Sequence, residues 1–600
     1  MSRLTAERPS RLTAVAGAET RVGLLLVLPA LAVLVVAVAY AAGRQQDAWA
    51  PVAFWAGQVL LIVSTAAGAL DVRSSRNARV LSVAVLAAAQ SALIWCYRPV
   101  SFRFVDEFQH LRTARDVLAT QRLFTPNSFL DVSPGFPGLE EVTTALASAG
   151  HTSIFVAGSI VVAVAHVLLV ATVFLLVERV AGDPRAAAAG ALLYAAQPHS
   201  TFLNGLFLYS VLALPFFVLS LVAFQRRDPG RGVPYALVCI ATCVVTHHVT
   251  ALATVAALVL VGAVSTVTGR GRRAGVLHLA AAAAGLVALG AWVVAVSPDT
   301  IGYLERPARG VLEALTSLGR GHGSSNNAPP PAVPILNTAA IVLSTLVMTG
   351  LLVTQVLHVW RRRGSLPPWQ VVYTFCGVAY FAVLGMRVAM PGSPELAARA
   401  LTYAVVLAAV PVGVRVVRLA GARPRGSLTA VAVVLLVYLG GLAAGWPPHW
   451  ERVPAPFRVA AFERGIDGQV LDAADWAEQT TPTGRIACDL MTCAAVGAVT
   501  RTDQESRVAP IYIGTDGDVA RLEELLDLRA LDLVFVDQRM LDAPPLTGSF
   551  FFGGNKDAPG FQPSPADLAT FPSDRRLDRW YDGGSLRVYR RALRGSGSGG

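Results

Sequence analysis

Charge is the scarcest commodity in this sequence. Only 15% of its 600 residues are Asp, Glu, Lys or Arg, against 54% hydrophobic, and the mean hydropathy is +0.53. That balance excludes an ordinary soluble enzyme and places the chain among multi-span membrane proteins. Lysine is nearly missing. Lys556 is the only one and every other basic side chain is arginine, which together with the many Ala, Val, Gly and Pro residues points to a GC-rich bacterial genome. The net charge of +11 does not indicate a nucleic-acid partner, because the arginines fall in short clusters between apolar runs and form no basic domain. Of the six cysteines, Cys96, Cys239, Cys243 and Cys376 lie in or at apolar runs, where packing explains them. Cys488 and Cys493 lie outside the runs, and their spacing suits neither a CxxC redox site nor a zinc site; a disulfide between them is left open. Ionisable residues are also rare inside the apolar runs. His166 and His278 are the main exceptions, and neither has an acidic partner nearby in sequence, which argues against an ion-coupled transporter.

What the chain has in abundance is apolar length. Runs of spanning character occur at about 22–42, 52–70, 80–97, 153–177, 186–198, 209–224, 233–246, 250–267, 275–296, 335–358, 370–386, 400–417 and 428–446, thirteen in all. The runs 186–198 and 233–246 fall short of the usual length and need tilt or extension by neighbouring residues. The first run has no clear small-residue cleavage site after it and is expected to stay as a membrane helix. Arginine clusters, among them Arg73/Arg76/Arg79, Arg179/Arg185, Arg270/Arg272/Arg273 and Arg361/Arg362/Arg363, fall on every second connection. By the positive-inside rule these connections and the N-terminal tail 1–21 are cytoplasmic, in a bacterial plasma membrane. The expected domains are a transmembrane unit over 22–446, an extracytoplasmic α/β domain over 447–594 and a disordered tail at 595–600. The loops 98–152 and 297–334 would be extracytoplasmic and are too long to be mere connectors.

Within loop 98–152, Phe104, Phe108, Leu111 and Leu118 recur at helical spacing with Arg112, Arg115 and Arg122 between them. This predicts an amphipathic helix lying on the outer membrane surface, ended by Pro126 and Pro134-Gly135. A second helix is predicted from Leu139 to Ala149. The stretch from Gly319 to Pro331 cannot pack a core and reads as mobile. In the tail, strands are predicted at Arg485–Asp489, Ile511–Gly514, Leu533–Asp537 and Leu586–Tyr589, with helices at Val470–Glu478 and Val519–Leu528.

The strongest chemical signal is the pair Asp106-Glu107, two carboxylates just past the third apolar run. Being adjacent, they point in different directions, so one can act as a general base on an acceptor hydroxyl while the other binds, or they can hold a divalent cation, Mg or Mn, against a phosphate. The bland alternative makes Asp106 an N-cap. His110 lies at i+4 and i+3 from the two acids and could pair with either. Glu140 and Glu141 open the second helix, where the dipole favours negative charge whatever the function. His247-His248 form a polar turn between two runs. Glu395 and Arg399 at i,i+4 suit a helix ion pair, yet Arg399, with Arg387 on the same side, is equally suited to fork onto a phosphate.

In this layout the chain resembles the GT-C type membrane glycosyltransferases, which include the protein O-mannosyltransferases, mycobacterial arabinofuranosyltransferases and oligosaccharyltransferases. Asp106-Glu107 matches their acidic motif, Phe104–Leu118 looks like the juxtamembrane helix after it, and Glu395/Arg399 are similar to the charged pair near a late span. Arg579-Trp580-Tyr581-Asp582-Gly583-Gly584-Ser585-Leu586-Arg587-Val588-Tyr589 resembles the closing strand of bacterial, actinobacterial-like relatives. Two departures stand out: the acidic loop follows the third span and not the first, and the tail lacks a WWD-type motif, which argues against transfer to asparagine. The resemblance implies an inverting transferase of the cell envelope that moves a hexosyl or pentosyl group from a polyprenyl-phosphate donor to an extracytoplasmic acceptor. Asp106 and Glu107 would be catalytic, with His110, Glu140, Glu141, His247, His248, Arg387, Glu395 and Arg399 binding substrate and membrane lipids surrounding the site. A non-catalytic transporter or lipid flippase is the alternative.

Overall fold

The computed structural model describes residues 11–226, 228–305, 309, 333–389, 394–445, 452–480, 484–500, 502–505, 507–554, 558 and 560–591. The Gly319–Pro331 stretch and the 595–600 tail lie outside them. Sixteen labelled helices build the apolar part among the described residues: α1 Arg11–Arg44, α2 Ala50–Leu70, α3 Arg76–Tyr97, α4 Val105–Thr120, α5 Gly138–Gly150, α6 Ile154–Ala181, α7 Pro184–Ala195, α8 Tyr209–Ala223, α9 Val233–Thr246, α10 His248–Val267, α11 Arg272–Ala295, α12 Ile335–Arg362, α13 Pro368–Cys376, α14 Ala379–Ala389, α15 Pro394–Ala420 and α16 Pro424–Ala444.

Eleven segments among the described residues are long and apolar enough to cross a bilayer, making this a multi-pass membrane protein. The thirteen runs read from hydropathy are thereby corrected to eleven. The run at 233–246 reaches spanning length because a 3-10 turn at Pro229–Gly232 continues into α9. The runs at 186–198 and 209–224 do not, being helices of 12 and 15 residues. Hydropathy misjudges α7 because its Ala-rich surface faces protein: every residue from Arg185 to Ala195 is buried. Gly190 and Gly413 let α7 and α15 touch backbone to backbone, since a Cβ on Gly190 would sit 2.6 Å from the Ala409 carbonyl oxygen, and one on Gly413 2.5 Å from that of Ala186. At 1.5 Å per residue, α7 and α8 rise only about 18 and 22 Å, well short of a bilayer. Residues 196–208 join them.

The arginine clusters gather at one end of the bundle. There Arg76 pairs with Glu178 at 2.6 Å, Arg185 donates to the Leu70 carbonyl at 2.9 Å and to Ser427 Oγ at 3.1 Å, and Arg270 donates to the Leu366 carbonyl at 3.2 Å. The opposite end carries α4, α5 and the C-terminal tail. In the tail a five-stranded mixed sheet runs in the order β2-β1-β3-β5-β4, from β1 Arg485–Ala487, β2 Asp503–Gln504, β3 Leu531–Asp537, β4 Leu577–Asp582 and β5 Leu586–Arg591. β1 pairs in parallel with β2 and β3, while β3, β5 and β4 pair antiparallel. The expected strand at Ile511–Gly514 is instead the end of a short helix, Ala509–Tyr512, whose four residues are all buried. Continuous burial removes the face alternation that separates strand from helix. A disulfide joins Cys488 to Cys493.

The tail is docked through α4. Arg103 and Arg115 bond the Ile466 carbonyl and Glu478, and Arg112 Nη1 donates to the Gly497 carbonyl at 3.3 Å. One buried cluster runs from Phe102, Phe108 and Phe207 at the bundle end into Ile466, Val470, Met491 and Leu533 of the tail. The prediction of a helix lying on the membrane surface is thus overturned: the helix forms, but its arginines and Phe108 face a domain some 360 residues later. It ends at Gln121, in left-handed backbone at φ 54°, ahead of the prolines expected to stop it.

Candidate active site

Phe104, extended at φ −113° and ψ 145°, caps α4 without a side-chain bond, so Asp106 is not the N-cap; both acids sit in the first turn, where the helix dipole favours them. Successive residues on a helix diverge by about 100°, and here the divergence separates two environments. Glu107 turns inward and is fully buried. Its Oε1 lies 3.0 Å from Arg98 Nη2 and accepts the Phe207 amide at 2.9 Å, and its Oε2 accepts the Arg103 amide at 3.2 Å. Arg98 is itself buried, stacks over Phe102 at 5.1 Å and donates to the Gly205 carbonyl at 3.2 Å. Glu107, expected to share the chemistry, thereby ties α4 to Arg98 and to the 196–208 segment.

Asp106 turns the other way, into a cavity of about 530 Å³. Arg399, from the start of α15, enters from the opposite wall and brings Nη2 to 3.7 Å from Asp106 Oδ2. The Asp106 side chain keeps 52% of its exposure and that of Arg399 42%, so the pair is loose and wet. His110 and His247 also line the space, as do His199, Tyr209, Tyr303, Thr402 and Tyr403. Phe462, Leu490 and Met491 of the tail close it from above, the last two within the Cys488–Cys493 loop.

The histidines are held in defined ways. His110 does not pair with Asp106 or Glu107; its Nδ1 lies 2.7 Å from Glu140 Oε1, with both side chains buried and Tyr209 4.4 Å from the ring. Local spacing could not reveal Glu140 as the partner, since α5 folds back across α4 to present it. His247 caps α10: its Nδ1 accepts the Thr250 amide at 3.3 Å and lies 2.7 Å from Thr250 Oγ1, which is 2.8 Å from the Tyr403 hydroxyl. An Nδ1 that accepts an N–H carries no proton, which assigns the neutral ring its hydrogen on Nε2. Burial, His248 and Arg399 all hold the His247 imidazole well below its usual pKa, so it stays neutral. His199 Nδ1 lies 3.1 Å from Thr402 Oγ1.

Asp106 and His110, one turn apart on α4, are thus brought together with His247 and Arg399 from three regions of the sequence. His248 is buried behind His247 among Phe136 and Tyr303, Glu140 backs His110, and Glu141 is exposed on α5. The side chains of Arg387 and Glu395 lie outside the described residues. His199, Tyr209, Tyr303, Thr402 and Tyr403 were missed; only His199 had a signal, the polar Gln197-Pro198-His199-Ser200 break between two apolar runs. The divergence of Asp106 and Glu107 prevents the two carboxylates from sharing a Mg or Mn ion, and among the described residues no three His, Cys, Asp or Glu side chains cluster as metal ligands. Among the described residues, the donor set does not fit a protein-held cation.

No family model matches the chain, and no curated protein does either. Among solved structures it is similar to the crystal structure of ArnT from Cupriavidus metallidurans in the apo state, at 13% identity and a TM-score of 0.45. It is also similar to ArnT from that organism bound to undecaprenyl phosphate, at 14% identity and a TM-score of 0.37. Each likeness covers 84% of this chain and 97% of the other. At these scores the likeness bears on neither substrate nor chemistry.

Proposed function

We propose that this chain is a membrane glycosyltransferase of the cell envelope that moves one sugar, with inversion, from a polyprenyl-phosphate carrier to an acceptor hydroxyl on the extracytoplasmic side. The observation that carries the reading is the meeting of Asp106 and Arg399 at 3.7 Å in a cavity at the bundle end, roofed by the tail. The donor phosphodiester presents two non-bridging oxygens sharing one charge, a match for the guanidinium fork, whereas the Asp106 carboxylate holds Arg399 only loosely, at 3.7 Å. Donor binding therefore draws Arg399 onto the phosphate and frees Asp106. The Asp106 carboxylate takes the proton of the acceptor hydroxyl, the acceptor oxygen bonds to the anomeric carbon, and the bond from that carbon to the phosphate oxygen breaks. Arg399 neutralises the charge left on the departing polyprenyl phosphate. The Nε2–H of His247 and the hydroxyls of Tyr209 and Tyr303 offer donors for sugar oxygens, while the Tyr403 hydroxyl donates to Thr250 Oγ1.

A second assignment of the base has one observation behind it, the buried Glu140 that orients His110 at the cavity wall. A transporter is disfavoured because Glu178 is the only acidic residue within the eleven spans, and it is paired with Arg76 at a helix end. The test is to incubate the purified protein with a panel of polyprenyl-phosphate sugars and an acceptor extract. Release of polyprenyl phosphate with one of them is expected; none released with any, by protein that remains folded, would remove the enzyme reading.

A further inference from the structure

At the arginine end, far from the cavity just described, a groove of about 830 Å³ opens between α6, α8 and α9. Its walls are apolar, from Leu175, Leu219, Val222 and Val238, and its rim carries two cations, Arg179 and Arg226. Arg179 sits in the last turn of α6, and Arg226 follows α8 with its guanidinium 4.3 Å from the centre of the Tyr235 ring. Among the described residues neither has a carboxylate within ion-pair distance. The nearby acids are engaged elsewhere, Glu178 by Arg76 at 2.6 Å and Asp228 by Arg231 and Arg273 at 3.7 and 3.9 Å. Val238 and Tyr235 are exposed on the outside of the bundle, so the groove faces the surrounding lipid.

We infer that this groove is a binding site for one anionic phospholipid of the leaflet opposite the cavity. Its phosphate lies between Arg179 and Arg226, and an acyl chain fills the trough along α8 and α9. The argument is complementarity of two kinds in one place: two guanidinium groups without a carboxylate partner among the described residues, and an apolar channel leading away from them along the helices. A free phosphate would satisfy only the first. A zwitterionic lipid would satisfy the second but brings its own cation to the arginines. The arginine clusters that fall on alternate connections assign this end to the cytoplasmic leaflet, whose anionic lipids supply such headgroups.

The site is independent of the transfer reaction, so its test reads lipid and not turnover. Purified full-length protein, exchanged into detergent with equal phosphatidylglycerol and phosphatidylcholine, is examined by native mass spectrometry for retained lipid. Preferential retention of one phosphatidylglycerol is expected. Each of Arg179→Gln and Arg226→Gln should weaken that retention by roughly fivefold, and the double variant by roughly 25-fold, as loss of about one headgroup contact per arginine implies. Thermal unfolding of the double variant without lipid serves as the folding control. Equal retention of the two lipids, undiminished retention in a folded double variant, or equal stabilisation of the protein by inorganic phosphate alone would each overturn the inference.

Discussion

Arg98 and Glu107 form a buried ion pair 3.0 Å apart, and that pair decides which of two adjacent carboxylates reaches the cavity. With Glu107 fixed on Arg98 and on the Phe207 and Arg103 amides, α4 cannot rotate about its axis, and Asp106 is held toward Arg399. The two acids are therefore expected to fail in different ways when mutated.

Asp106→Asn should abolish sugar transfer while leaving expression and thermal stability unchanged, because an amide cannot take the acceptor proton. Turnover assays on detergent-purified protein check this; wild-type turnover would transfer the base role to His110, which His110→Ala then tests.

Glu107→Gln should instead destabilise the protein, by about 3–5 kcal/mol, since it leaves the Arg98 charge buried without its counter-charge. Thermal unfolding and yield report it. A stable but inactive Glu107→Gln protein would return this residue to the chemistry.

Arg399→Ala should lower activity at least about tenfold at low donor concentration, and Arg399→Lys should recover only part, because an ammonium lacks the planar fork. The stability cost should be small, since an exposed pair contributes roughly 0–1 kcal/mol. Near-normal turnover at both low and saturating donor would leave the phosphate site unassigned.

Tyr403→Phe removes the hydroxyl that meets Thr250 and, through it, His247. Activity should fall by about fivefold, as the loss of one hydrogen bond of about 1 kcal/mol implies, with the fold intact. An unchanged kcat and KM would show that the ring orientation is set by the Thr250 amide alone.

Asp489 in the tail is buried, and burial, aided by the nearby Asp537 charge, pushes its pKa up to about 6. The folded protein therefore holds a proton that the unfolded chain has released, so this residue's contribution falls as pH rises from about 4 to 6 and its cost is complete above that. Asp489→Asn keeps an oxygen for the Met491 and Thr492 amides. It should raise stability at pH 8 by on the order of 1–3 kcal/mol and change little near pH 4. Thermal unfolding at the two pH values measures the difference; equal shifts at both would contradict the linkage.

Much of the architecture was legible in the residues because it rests on local physics. Apolar length marks a span whatever surrounds it, so eleven of the thirteen runs reappear as helices of spanning length, and the arginine clusters that alternate along the chain gather at one end. Asp106 and Arg399 stood out because charge is costly beside so much apolar surface. Tertiary structure alone decided the rest. Whether α7 faces lipid or protein depends on α15 packing against Gly190, and a hydropathy profile does not contain that contact. The opposite fates of Asp106 and Glu107 depend on Arg98 and Phe207 arriving from either side. The histidine at i+4 took Glu140 from another helix, and the arginines of α4 took the tail, because pairing energy depends on distance in space while sequence spacing reports only neighbours on the same helix.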